Sequence, residues 1–205
     1  MPEKIFLDLD QKKQSRIIDV ACKEFATYGY EQASTNRIVK ECGISKGSLF
    51  KYFKCKEDLF FFLLDTVASE MAEDMGSGLG NLSDKLFQRI IDYSSLEISW
   101  YIRNPVKGRL VLYAFTENDS EIYKKTAERY GISGENIYSG ILEGIELKGV
   151  THSKEVICDM FKWVLKGFNK EFLDEVYYRN EPAEVLQEEY ERKLTDYIRI
   201  LKNGL

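Results

Sequence analysis

The sequence predicts an all-α protein: an N-terminal three-helix head of the helix-turn-helix kind, a connecting fourth helix, and a C-terminal helical bundle, about nine helices in all. Three observations carry this. Apolar residues recur at helical spacing along the 205-residue chain, and the strict alternation of a half-buried strand never lasts beyond a few residues. Only three prolines occur, and Pro105 and Pro182 both stand where a helix can begin. The segment Glu41-Cys42-Gly43-Ile44-Ser45 reads as a glycine-containing turn between two short helices.

Taken in order, Ile17, Val20, Ala21, Phe25 and Tyr28 mark a first helix that ends at Gly29. Ser34 and Ser45 stand as N-caps of the two short helices that follow. Ile38, Val39, Ile44, Leu49 and Phe53 are spaced to close a small core. From Lys56 to Met75 a longer helix carries Leu59, Phe60, Phe62, Leu63, Val67 and Met71 on a broad apolar face; Gly76-Ser77-Gly78-Leu79-Gly80 is read as its break. Leu82, Leu86, Ile90, Tyr93, Glu97 and Trp100 trace a fifth helix, and Asn104-Pro105 closes it and opens a sixth. Helical stretches are expected from Asp119 to Tyr130 and Gly134 to Lys148, interrupted around Gly131, then from Ser153 to about Arg179. Pro182 opens the last helix, with Val185, Leu186, Tyr190, Leu194, Tyr197 and Ile198 at helical spacing. This divides the chain into 1–55, 56–76 and 77–205.

The net charge of −5 argues against nucleic acid as a partner until its distribution is considered. Residues 1–60 hold 11 Lys or Arg against 9 Asp or Glu, whereas 61–205 hold 18 against 25. From Ser34 to Lys56 six basic residues face one acid, Glu41. A small basic head is thus carried on an acidic body. Cys22, Cys42, Cys55 and Cys158 show no CxxC pairing and are read as reduced, structural thiols of a cytoplasmic protein. With His152 the single histidine, no catalytic triad, metal site or cofactor is expected. The N-terminus has acids inside its short apolar part and is not read as a signal peptide. No apolar run approaches about 18 residues, so no membrane span is expected.

In a helix-turn-helix the second helix presents its first residues to base edges while flanking groups grip phosphates. Here that helix is Ser45 to Lys51: Ser45 caps it, Leu49 faces inward, and Lys46, Gly47, Ser48 and Lys51 are left outward. Gly47, having no side chain, permits close approach to a groove. Ser34 and Arg37 open the preceding helix, where free N–H groups favour a phosphate. Lys56 opens the next helix, and the phenol of Tyr52 is available to a phosphate oxygen. Turn, caps, apolar spacing and one-sided charge within 23 residues together point to double-stranded DNA.

Those residues carry a resemblance. Phe25, Gly29-Tyr30, Ser34, Ile38, Cys42-Gly43-Ile44-Ser45, Gly47-Ser48-Leu49, Tyr52-Phe53 and Lys56-Glu57-Asp58-Leu59 resemble the N-terminal domain of the TetR family of bacterial transcriptional regulators. The resemblance covers about a quarter of the chain. It implies base or groove contacts from Lys46, Gly47, Ser48 and Lys51, and phosphate contacts from Ser34, Tyr52 and Lys56. Phe50 stands where the family usually has Tyr and is read as packing only. Cys55 replaces the usual Ser or Thr cap, a change worth roughly 1 kcal/mol.

The resemblance further implies 1–55 as the DNA-binding domain, 56–76 as a connecting helix and 77–205 as a ligand-binding and dimerisation domain. A homodimer through the last two helices would read a palindromic operator. The candidate lining of a small-molecule pocket is Tyr93, Glu97, Trp100, Tyr113, Tyr123, Phe161 and Phe168, of which Glu97 stands out as a carboxylate on an apolar stripe. The expected function is a ligand-responsive dimeric repressor released from its operator by a small hydrophobic molecule. Two readings compete: an architectural DNA-binding protein of the same fold without an inducer, and a helical-bundle enzyme, for which the chain offers neither a second histidine nor a phosphate loop.

Overall fold

The computed structural model describes residues 2–116, 120–130, 145 and 152–204. Among them are ten helices and no strand: α1 Lys4–Leu7, α2 Gln11–Gln32, α3 Thr35–Cys42, α4 Lys46–Tyr52, α5 Lys56–Leu79, α6 Leu86–Arg103, α7 Pro105–Thr116, α8 Glu121–Tyr130, α9 Lys154–Val176 and α10 Ala183–Gly204. The helix expected over 134–148 lies, apart from residue 145, outside the described residues. None of the described helices is long and apolar enough to cross a membrane. The chain forms two compact units, Met1–Ala72 with Val106–Glu117, and Glu73–Pro105 with Asn118–Leu205.

In the first unit Asp10 caps α2, its carboxylate accepting from the Lys13 N–H at 3.0 Å. The helix buries Ile17, Ala21, Cys22, Phe25 and Ala26. At Gly29 the backbone leaves the helical region (φ 66°), a conformation glycine adopts without a Cβ clash. One further turn then sets Tyr30 against Phe25 and Phe60. The break expected at Gly29 is therefore present, with a turn of helix beyond it. The turn after α3 is closed by Gly43 at φ 68°, with its N–H directed to Lys40 O and that of Ile44 to Val39 O at 3.0 Å.

The sequence reading gave no role to residues 4–7. They form α1, which packs against α4 and buries Phe6 completely, with ring centroids 4.9 Å from Phe53 and 5.4 Å from Phe62. Cys22, Cys42, Cys55 and Cys158 are all free thiols; burial pushes Cys22 up to about 12, which makes it inert.

The break expected at Gly76–Gly80 is corrected: α5 continues to Leu79. Glycine costs a helix only about 1 kcal/mol per residue, which packing offsets. A Cβ on Gly78 would lie 2.6 Å from Leu96 Cδ2, so α5 and α6 approach here only because the side chain is missing. Asn81 completes the end, its backbone N–H reaching Gly78 O and its amide Ser77 O, both at 3.0 Å. Leu82, expected inside the fifth helix, precedes α6 in a segment held by Asp92, which accepts from the Ser83 N–H at 3.0 Å.

In the second unit α6 packs chiefly against α10 and also against α9. The core is built from Leu86, Ile90 and Ile98 of α6, Ile157, Phe161, Leu165 and Phe172 of α9, and the i, i+4 row Leu186, Tyr190, Leu194 and Ile198 of α10.

Candidate nucleic-acid interface

The second helix of the hairpin, α4, begins at a true cap: Ser45 Oγ accepts from the Ser48 N–H at 3.0 Å. Leu49 and Tyr52 anchor α4 inward. Lys46, Gly47 and Lys51 are exposed, and Ser48 is half-buried, its hydroxyl 2.8 Å from that of Ser45. No acid stands in the first turn of α4, so its N–H ends and the two lysines present positive potential. A Cβ on Gly47 would meet nothing nearer than Ser45 Oγ at 3.8 Å. The fold itself thus has room for alanine there. Phe50 does not serve packing alone, as expected from the sequence: it is 38% exposed, with Lys46 Nζ 6.0 Å from its ring centroid.

The flanking residues fare differently from expectation. Ser34 sits at the N-cap of α3 with no side-chain cap bond; its N–H is instead bound by Glu24 Oε1 at 2.7 Å. Glu24 is buried and also takes Arg37, through Nε at 2.8 Å and a second guanidinium nitrogen at 2.6 Å. Arg37 further donates to Gln32 O at 2.8 Å and stacks 4.1 Å above the exposed Tyr28 ring. Carboxylate bonding raises the Arg37 pKa above its ordinary value. Arg37 thereby clasps α2 to α3 while its side chain stays about half exposed. Tyr52 is corrected: its side chain is buried, with the ring centroid 5.9 Å from Phe6, rather than turned outward.

Lys56 donates to Glu31 O at 3.2 Å and lies 4.6 Å above Tyr30, where desolvation lowers its pKa. It joins the start of α5 to the end of α2, with two of its three donors left over from that bond. Cys55 caps α5 after all, since its sulfur accepts from the Asp58 N–H at 3.4 Å.

Sequence reasoning missed Glu24, the organiser of this face. Its place one turn from Ala21 and beside Phe25, on the apolar stripe of the helix, is the signal available in the sequence. Glu24→Ala should lower the urea-unfolding free energy by about 3 kcal/mol, because two charge-assisted hydrogen bonds go and the Ser34 N–H loses its acceptor. A loss well under about 1 kcal/mol would show the clasp to be incidental.

The body candidates are divided between the two units. Tyr113 belongs to the first unit, where Arg109 Nε donates to its hydroxyl at 3.0 Å; the others belong to the second. Trp100 is buried and donates to Asp74 Oδ2 at 3.1 Å. Phe161 is buried edge-on to Phe87, Tyr123 lies under Lys166, and Tyr93 is half-buried. Phe168 stacks on Tyr190 with centroids 4.8 Å apart. Glu97 is half-buried, hydrogen-bonded by Asn169 Nδ2 at 3.1 Å and Tyr101 OH at 3.4 Å. Burial pushes its carboxyl up to about 7 against the pull of those two donors. Among the described residues no group of three or more His, Cys, Asp or Glu is placed to hold a metal ion.

Residues 17–62 match the family described as bacterial regulatory proteins, tetR family. The HTH-type transcriptional regulator YuxN of Bacillus subtilis, itself uncharacterized, is 44% identical over 55 residues, which are 27% of this chain and 19% of that protein. The match therefore spans about a fifth of that relative's length. A TetR family transcriptional regulator from Chloroflexus aurantiacus superposes with a TM-score of 0.71 over 100% of this chain and 98% of its own, at 23% identity. The transcriptional regulator FadR from Bacillus subtilis, solved in complex with stearoyl-CoA, gives 0.58 over 88% and 96%, at 20% identity. Such distant likeness establishes the fold, and the closer match lies in the head. The head, residues 17–62, is thus similar to the DNA-binding part of the tetR family of bacterial regulatory proteins, and the whole chain shares the all-α fold of solved regulators of that family.

Proposed function

We propose that this protein is a dimeric, ligand-responsive transcriptional repressor that acts by binding rather than by catalysis. One observation carries the DNA-binding part: a capped helix whose first turn exposes Lys46, Gly47 and Lys51 beside a glycine the fold does not require. In this reading Lys46, Gly47, Ser48 and Lys51 meet base edges or groove walls. The Ser34 hydroxyl, not spent on capping, and the remaining donors of Lys56 take phosphates.

A dimer through α9 and α10 is supported by what those helices leave uncovered. Val156, Trp163 and Gly167 fall on one stripe of α9, Trp163 being 69% exposed, and α10 adds Val185, Tyr197 and the 69%-exposed Ile200. Two heads on a two-fold axis would read half-sites about 34–36 Å apart. A small-molecule site in the body is supported by the stearoyl-CoA complex of the FadR neighbour. A ligand there releases DNA only if it binds one head spacing better than the other.

The test is salt-dependent binding to the DNA flanking the protein's own gene, with Gly47→Ala beside the wild type. Alanine should raise helix stability by up to about 1 kcal/mol. It should nevertheless weaken specific binding about tenfold, by standing the protein off the groove. Lys46→Ala should relax sequence preference at one position of each half-site, while Lys56→Ala lowers the salt slope by about one. Wild-type binding by Gly47→Ala and Lys46→Ala alike would remove α4 from the interface.

A further inference from the structure

The body contains a polar cluster that DNA binding does not use. Glu97 of α6 accepts from Tyr101 on its own helix and from Asn169 on α9, and Asn169 Oδ1 in turn accepts from Tyr190 OH of α10 at 2.6 Å. Tyr101, Asn169 and Tyr190 are buried, while Glu97 is half-buried. All of these donors are neutral. Among the described residues no cation is paired with Glu97, although a carboxylate withdrawn from water ordinarily has one. One turn earlier on the same face, Ser94 Oγ is fully buried and has no hydrogen-bond partner among the described residues. Beside Asn169 on α9, Phe168 stacks on Tyr190 and meets Tyr197 edge-on at 5.1 Å. A carboxylate lacking its countercharge, an unsatisfied hydroxyl and adjacent aromatic faces make up the recognition set for a cation on an apolar stem.

We propose that the body binds a lipophilic ammonium, its protonated amine seated against Glu97 within reach of Ser94 and its apolar part among the aromatic side chains of α9 and α10. The proposal rests on the ligand-responsive reading above and narrows it: a carboxylate held by neutral donors attracts a cation and repels a carboxylate or phosphate head. Among the described residues the groups facing Glu97 are Tyr101 and Asn169 directly and Tyr190 through Asn169, which leaves the ligand to supply the countercharge in this proposal. An amine seated there returns the carboxyl to its ionised form, and binding near pH 7 releases a proton from the protein.

The experiment is calorimetric titration of the full chain with dodecylamine, dodecanol, dodecanoate and stearoyl-CoA, in two buffers of different ionisation enthalpy, with operator binding followed in parallel. Dodecylamine should bind at least about tenfold more tightly than dodecanol and release protons. Glu97→Gln, which keeps the side chain's shape, should abolish both the preference and the proton release. Ser94→Ala, which costs no hydrogen bond among the described residues, should weaken the amine by about threefold. Dodecanoate or stearoyl-CoA releasing the operator while dodecylamine does not bind would overturn the ammonium and leave the ligand-responsive reading intact. Dodecylamine bound through Glu97 without effect on operator affinity would support the site and overturn that reading instead.

Discussion

Phe6→Ala should lower the unfolding free energy by about 3–5 kcal/mol, the cost of emptying a fully buried aromatic site. The ring touches Tyr52 and Phe53 at the end of α4 and Phe62 on α5, so the cavity opens directly behind the helix proposed to enter DNA. The four-residue helix that carries it has no other buried residue, and the residue before it adds one long-range bond, Glu3 N–H to Tyr52 O at 2.9 Å. Too short to persist alone, α1 stays in place because Phe6 holds it there. Urea unfolding of the full chain measures the loss, and Phe6→Leu should recover most of it. Operator affinity should fall as the folded head is depopulated, with the salt slope unchanged, since no cation is removed. A loss below about 1 kcal/mol would mean that α1 is an ornament of the head.

The second large effect concerns Glu97 and pH. Its carboxyl is pushed up to about 7 in the folded state from an ordinary value of 4.5. An acid with a raised folded pKa favours folding while protonated. Its contribution is complete below about pH 4.5, shrinks as pH rises because the unfolded chain ionises more readily, and is gone above about pH 7. The full swing is roughly 3 kcal/mol. Glu97→Gln lacks this titration. Wild type and variant should therefore match near pH 4.5, and the variant should be the more stable at pH 8. Every other titrating group is common to both proteins and cancels in the difference. Parallel stability curves across that range would mean that the carboxyl titrates as it does in water.

The head was legible where its determinants are local. Gly43 declares its turn because only a left-handed residue closes α3 that way, and Ser45 declares its cap because the acceptor and the N–H are three residues apart. The clasp made by Arg37 was not legible because its partner, Glu24, lies 13 residues earlier, and an arginine in a basic run looks the same whether free or clasped. Tyr52 was misread for want of Phe6, 46 residues upstream, which covers it. The glycines at 76 and 78 read as a break because propensity is visible in sequence whereas the close approach of Leu96 is not. Glu97 was singled out by its place on an apolar stripe, yet its partner Asn169 stands 72 residues away and had no reason to be named.

The first unit is assembled from two separated pieces of chain, Met1–Ala72 and Val106–Glu117. The second piece supplies buried Leu110, Leu112 and Ala114, and its Lys107 pairs with Glu70. During synthesis the segment proposed to read DNA therefore waits for about forty further residues before its own packing is complete. The same discontinuity governs engineering. A head cut at the glycines near the end of α5 and grafted onto a foreign sensor leaves part of its core behind, so a transferable module from this protein has to carry α7 with it.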